Sequence, residues 1–417
     1  MFVRRYFSFF LLAIVLLFWG CSANEARTVQ KNDKLEPTVI LISLDGFRWD
    51  YLEKVNTPNL DFLIANGVKA KALIPAFPTK TFPNHYTIVT GLYPENHGII
   101  ANKMYDPQFN STFSLGDRSS VEDGRWWGGE PIWVTAEKQG QISATLFWPG
   151  SEAPIKGVRP TYWEKYNDKL AYNKRVQKVL DWLELPIEKR PTFIALYFDE
   201  PDSQGHKYGP TSKEVKDAIR KVDTTLGELV KALKQRKFLE KVNIIVTSDH
   251  GMTSISPDKV IFLDDYIDLN TVEIIDWSPV ITLRPHDGEK EKIYNALVNA
   301  HPYLNVYYKE NISERFHFRN HRRITSIIAI ADEGWSVSNH SLLKSLEAQF
   351  LRGNHGYDNQ LSSMRGIFIA NGPAFKKGLI IEPFENIHIY NLIAKILNLK
   401  PAPNDGNLDS VQFLLKP

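Results

Sequence analysis

The sequence predicts an α/β fold: a doubly wound, mainly parallel sheet sandwiched by helices, with a small inserted α+β lobe. Three observations predict it. Near-continuous apolar runs rich in β-branched residues recur at Thr38–Leu44, Thr192–Phe198 and Val242–Thr247, the pattern of strands buried on both faces. Each run ends in a polar loop (Asp45-Gly46, Asp199 to His206, Ser248 to Gly251), and helical spacing lies between them. That order builds a parallel sheet covered on both sides. From about residue 265 to 345 the texture changes to shorter, mixed signals, which read as the inserted lobe.

The chain opens on residues 1–20, which read as an export signal. Arg4 and Arg5 precede the apolar stretch Phe7–Trp19, and its 13 residues are short for a membrane span. Gly20 is followed by Cys21, the only cysteine. This resembles a bacterial lipoprotein signal with Cys21 lipidated; the alternative is a plain secretory signal cleaved a few residues later. Both predict an exported protein, periplasmic or an outer-membrane or cell-surface lipoprotein, with no internal disulfide. Residues 21–36 are polar and charged and read as a tether. Residues 37–417 form the folded domain.

Asn59–Asn66 reads as a short helix, and the apolar run Ala72–Phe77 leads to a helix over Asn84–Thr90, with Pro83 in its first turn. Gly91–Gly98 reads as a loop. A helix ends at Lys138, and a strand over Ser143–Phe147 ends in Trp148-Pro149-Gly150; Pro154 and Pro160 then mark a loop. Val176, Val179, Leu180 and Leu183 give one helix face within Asn173–Leu185. Thr211 with Glu214 reads as a capping box for a long helix through Leu233. The lobe holds strands at Val280–Leu283, Asn305–Tyr308 and Ile324–Ile330 and a helix at Lys290–Asn299. A strand at Gly366–Ala370 and a helix at Ile387–Leu399 close the chain.

Composition is that of a globular protein, with 43% hydrophobic and 24% charged residues. A net charge of +2 without a basic block gives no sign of a bulk nucleic-acid-binding surface. The chemistry gathers at the strand ends: Asp45, then Asp202 with His206, then Asp249 with His250. His355 stands in a glycine-flanked loop. Parallel strands present their carboxyl ends along one edge, where ligands bind. Three carboxylates and three imidazoles suit zinc and admit other divalent metals, and they suffice for two ions that clamp an in-line phosphoryl displacement. Thr81 lies near a helix N-terminus, a setting that favours an anion. An isolated threonine there is a cap; beside metals its hydroxyl becomes a nucleophile. Asn102 is suited to donate to an oxyanion, or is a loop residue.

Leu44-Asp-Gly-Phe47, Pro78 to His85, Tyr93 to Gly98, Asn102 to Asp106, Glu200 to His206 and Ser248 to Met252 together resemble the motifs of the nucleotide pyrophosphatase/phosphodiesterase family, within the alkaline phosphatase superfamily. The resemblance runs from about Pro37 to Gly406. It implies an alkaline phosphatase-like core and a phospho-threonine intermediate on Thr81. It implies one zinc on Asp202, His206 and His355, a second on Asp45, Asp249, His250 and the Thr81 oxygen, and Asn102 stabilising the transition state. It also implies a nucleotide substrate, its base between Phe82 and Tyr197, with Trp148 and Pro149 as the pocket wall. The products would be nucleoside 5′-monophosphates. The Pro149–Pro160 stretch, shortened in lipid-cleaving members, is present and favours nucleotides. Two alternatives remain: a phosphodiesterase for lipid or choline-phosphate head groups, and a catalytically silent nucleotide-binding surface lipoprotein.

Overall fold

The computed structural model describes residues 37–346 and 351–417; the export signal, Cys21 and the tether lie outside them. Strand β1 (Thr38–Leu44) is buried along its whole length. It is followed by α1 (Pro58–Ala65), β2 (Val68–Ala70), α2 (Thr81–Thr90), α3 (Ile132–Lys138), β3 (Ser143–Leu146) and β4 (Tyr162–Glu164). Next come α4 (Tyr172–Glu184), β5 (Phe193–Phe198), α5 (Asp202–Tyr208), α6 (Lys213–Gln235) and β6 (Val242–Thr247). The lobe contributes β7 (Val272–Asp276), β8 (Val280–Pro285), α7 (Lys290–Leu297), β9 (Leu304–Tyr308) and β10 (Ile327–Ala331). The chain ends with β11 (Phe368–Asn371), β12 (Leu379–Ile381) and α8 (Ile389–Ile396).

The main sheet has eight strands in the order β12-β2-β11-β6-β1-β5-β3-β4. Neighbours run parallel except at β11, which opposes both β6 and β2. The period-2 alternation of β1 explains the two-sided cover. Val39 and Leu41 enter the core shared with α2, α3 and α8. Ile40, Ile42 and Leu44 enter the core shared with α1, α4 and α6. The predicted faces of α4 and α6 are the buried ones, through Val179, Leu183, Ile219, Leu226 and Leu233. Asp223 on α6 locks α1 in place, accepting from the backbone N–H groups of Asn59 (3.1 Å) and Leu60 (2.8 Å) at the helix N-terminus.

Three local expectations change. Helix α2 starts at Thr81, three residues before the predicted start. Pro83 sits in its third position, where its missing N–H still falls among the unpaired donors of the first turn. The cap of α6 is Ser212, whose Oγ accepts from Val215 N at 3.2 Å, so the predicted Thr211–Glu214 box is one residue out of register. Pro94–His97 forms one helical turn within the predicted loop. The three-residue strands β2, β4 and β12 are too short to show periodicity.

In the lobe, β7-β8-β10-β9 form an antiparallel sheet. One face packs Ile281, Leu283, Val306 and Ala329 with Ile293 and Leu297 of α7. The other face joins the main core through Val280, Ile328 and Ile330. Among the described residues no helix is long and apolar enough to cross a membrane.

Candidate active site

Four segments deliver the predicted acidic and histidine side chains to the carboxyl edge of the sheet. Asp45 directly follows β1, and its amide donates to Phe198 O at 2.9 Å. Gly46 is left-handed (φ +65°), and a Cβ there would stand 2.8 Å from the Cβ of Asp202, so these two loops approach as only glycine allows. Its amide donates to Asp249 Oδ1 (3.1 Å). Asp202 and His206 are four apart on α5, hence on one helix face. Asp249 and His250 follow β6. His355 follows the two-residue strand Gly353–Asn354.

Two groups of ligand atoms result. In the first, His206 Nε2 is 3.1 Å from His355 Nε2 and 3.4 Å from Asp202 Oδ2. In the second, His250 Nε2 lies 2.9 Å from Asp249 Oδ2, 3.5 Å from Asp45 Oδ1 and 3.3 Å from Thr81 Oγ. Donors about 2.1 Å from a tetrahedral zinc stand about 3.4 Å apart, so the spacing fits. The hydrogen bonds sharpen the fit. The Nδ1 atoms of His206, His250 and His355 face the carbonyl oxygens of Gly353, Gly251 and Thr79 at 2.9, 2.8 and 2.7 Å. A carbonyl only accepts, so each Nδ1 carries the proton and each Nε2 offers a lone pair. Two lone pairs 3.1 Å apart suit a cation held between them. Asp45 Oδ1, Asp202 Oδ1 and Asp249 Oδ2 are likewise buried with no hydrogen-bond partner.

The electrostatics agree. Burial pushes the Asp45 carboxyl well up, and the neighbouring Asp249 and Asp202 carboxylates push it further. Burial pushes His355 well down, reinforced by His250 and His206. Burial alone would raise Asp249, yet His250 and His85 hold it well below the usual carboxylate range. Burial opposes charge on His250, and Asp249 overrides it, so His250 is raised. Like charges packed this closely would be stabilised by a bound metal.

Thr81 is the first residue of α2, with Lys80 as the N-cap. Asn102 is positioned by its own carbonyl: Oδ1 accepts from Phe82 N at 3.0 Å, which leaves its NH2 to donate elsewhere. Thr81 and Asn102 face a cavity of about 280 Å³ that also touches Asp45, Asp202, His206 and His355. Its apolar side is Phe82, Leu115, Phe147, Trp148 and Tyr166, with Pro149 beside them and the Arg118–Glu152 ion pair at the rim. A larger cleft, about 660 Å³ between the lobe and the core, contains none of these groups.

Phe82 is backed by Phe113 and Trp127, with ring centroids 6.0 Å away in each case. Trp148 is a buried wall, its indole N–H donating to His85 O (3.1 Å). Tyr197 lines the same cavity as Phe82 and Trp148. The residue is 9% exposed, and its hydroxyl donates to Asp45 Oδ2 at 2.6 Å, which ties it to that carboxylate. Tyr166, which had no assigned role, lines the same cavity and is 40% exposed. No periodicity marks it; only its aromatic character could have drawn notice. His85 was also missed. It follows Thr81 by one helical turn, donates from Nδ1 to Thr81 O (2.9 Å), and its Nδ1 lies 3.3 Å from Asp249 Oδ2.

A helix-borne hydroxyl facing two sets of metal-ligating side chains on a mainly parallel sheet defines a hydrolase of phosphate esters. The chain belongs to the type I phosphodiesterase / nucleotide pyrophosphatase family, whose profile matches residues 39–358, and so to the alkaline phosphatase superfamily. It is 43% identical over 379 residues to human ectonucleotide pyrophosphatase/phosphodiesterase family member 5, covering 90% of this chain and 78% of the relative. It is 41% identical over 409 residues to mouse bis(5′-adenosyl)-triphosphatase, covering 97% and 86%. A cobra (Naja atra) venom phosphodiesterase is 42% identical over 408 residues; the match covers 95% of this chain but 48% of that protein, about half its length. The solved structure of murine ectonucleotide pyrophosphatase/phosphodiesterase 5, an inactive variant in complex with AMP, superposes with a TM-score of 0.87 at 43% identity, covering 91% of this chain and 100% of that one.

Proposed function

We propose that this chain is a two-zinc phosphodiesterase that cleaves nucleotide phosphodiester and pyrophosphate bonds, releasing nucleoside 5′-monophosphates through a phospho-threonine on Thr81. One observation carries the proposal: the Thr81 hydroxyl stands at the N-terminus of α2, 3.3 Å from His250 Nε2, on the floor of a cavity with an aromatic wall. Asp202, His206 and His355 would hold one ion, and Asp45, Asp249 and His250 the other, with Thr81 as a further ligand. Bound there, the cations would neutralise phosphoryl charge and lower the pKa of the threonine hydroxyl.

Thr81 forms the new O–P bond while the leaving oxygen departs, and water then cleaves the adduct. The Asn102 amide donates to a phosphoryl oxygen as charge builds. The backbone at the start of α2 adds its dipole. Phe82 and Tyr166 hold the base, with Trp148 and Pro149 closing the pocket; stacking of this kind tolerates several bases. The murine relative's complex with AMP supports the choice of a nucleotide. Export and lipid attachment at Cys21 belong to this proposal on sequence alone; labelling with a radioactive fatty acid, lost in Cys21→Ser, tests them.

The assay offers zinc-loaded protein a nitrophenyl nucleotide diester, nitrophenyl phosphocholine and a nitrophenyl monoester. The nucleotide diester should be cleaved with the highest kcat/KM. Preference for phosphocholine would overturn the nucleotide assignment, and full activity in Thr81→Ala would overturn the nucleophile.

A further inference from the structure

Lys80 immediately precedes the proposed nucleophile, and its side chain is not among those lining the cavity. The residue is only 6% exposed. Its ammonium ion-pairs with Asp276, 196 residues away in the inserted lobe. Asp276 ends β7 at a register shift relative to β8, and its other oxygen accepts from Trp277 N at 3.0 Å. A buried ammonium and a mostly buried carboxylate are held in one geometry, with both partners needed.

The lysine stem is equally constrained. Gly356, next to His355, has φ +110°, and a Cβ there would stand 2.9 Å from Pro279 Cδ and 3.2 Å from Lys80 Cε. Lys80 therefore runs beneath the His355 turn, alongside Pro279 of the lobe. The neighbouring backbone completes the junction. Thr79 O accepts from His355 Nδ1 (2.7 Å), and Thr79 Oγ accepts from Gly356 N (2.9 Å). Lys80 O accepts from Asn84 Nδ2 (3.0 Å). Lys80 is thus the crossing of three segments: the start of α2, the His355 loop and the lobe.

We infer that the Lys80–Asp276 pair is a positioning device through which the inserted lobe sets the Thr81 hydroxyl in line for attack. Neither residue touches substrate; both act through the backbone that carries Thr81 and His355. The lobe thereby becomes part of the catalytic apparatus. This inference rests on Thr81 being the nucleophile, as proposed above.

The test is rapid-quench measurement of phosphoryl transfer to Thr81 in the zinc-loaded full chain, with metal content and Tm recorded in parallel. Asp276→Asn should slow phosphorylation about 10- to 100-fold, the scale expected for a misplaced reacting group, while KM stays within about twofold. Asp276→Glu should recover most of the rate. Lys80→Met added to Asp276→Asn should cost little more, because the pair acts as a unit. Should Asp276→Asn fail to fold, Lys80→Met/Asp276→Leu removes both charges together and should show the same slowing. A phosphorylation rate within about twofold of wild type in whichever variant folds would overturn the inference, as would independent multiplication of the two single effects. Absence of any Thr81 adduct in the wild type would instead overturn the nucleophile assignment, so the two failures are distinguishable.

Discussion

Tyr197→Phe removes one oxygen and leaves the ring, so it isolates the hydrogen bond to Asp45. That bond is 2.6 Å long, fully buried and made to a carboxylate whose other oxygen has no partner. Hydrogen bonds to charged groups contribute about 1.5–3 kcal/mol. The outer partner of a metal-ligating group typically changes metal affinity about 10- to 100-fold, which is about 1.4–2.8 kcal/mol, the same range. The direction also follows from Asp45 itself. Burial and the Asp249 and Asp202 carboxylates raise it, and the Tyr197 hydroxyl is the group that lowers it. Without that hydroxyl, Asp45 holds its proton more tightly and competes less well for metal. Titration in chelator-buffered zinc should show one site weakened about 10-fold or more, while the Asp202–His206–His355 site is unchanged. At saturating zinc, kcat should return to within a few-fold of wild type. Zinc affinity equal to wild type at both sites would refute the assignment of Tyr197 as the group that orients Asp45.

Tyr166→Ala should raise KM for a nucleotide diester about 10-fold with little change in kcat, since a stacked base contributes about 1–3 kcal/mol; steady-state kinetics on two bases checks it. Asp223→Ala leaves the first amides of α1 without their buried acceptor and should lower unfolding free energy by about 3 kcal/mol, read by urea denaturation. His97 is fully buried, and burial, then His321, holds it down at about 3, against an ordinary 6.5. Its folded pKa lies below its unfolded one, so the unfolded state takes up the proton first. Stability from this group is complete above pH 6.5 and is lost as pH falls toward 3, by up to about 1.4 kcal/mol per pH unit. His97→Gln should flatten that slope in denaturation series between pH 7 and 4.5.

The central strands were legible because β1, β5 and β6 are buried on both faces and so read as unbroken apolar runs. The short strands β2, β4 and β12, at and next to the sheet edges, have three residues each and show no period. The start of α2 was displaced because Pro83 is an acceptable first helical residue; only the three-dimensional hydrogen bonds show it as the third. Acidic and histidine groups at successive strand ends could be read from topology, since parallel strands point their ends the same way. The stacking role of Tyr197 came from the family resemblance; its bond to Asp45 was not legible, because it follows from β5 lying beside β1, a pairing that sets Tyr197 opposite Ser43, two residues from Asp45. Tyr166 lies in an irregular stretch whose path no local rule specifies. The Lys80–Asp276 and His85–Asp249 contacts span 196 and 164 residues, and nothing in either neighbourhood names the partner.

The most direct test of the Thr81 mechanism is acid quench of the zinc-loaded enzyme during turnover, followed by mass spectrometry of the peptide containing Thr81. The phospho-threonine mechanism predicts that this peptide gains one phosphoryl group on Thr81, with the adduct absent in Thr81→Ala. Full turnover with no adduct on Thr81, or an adduct on another residue, would contradict it.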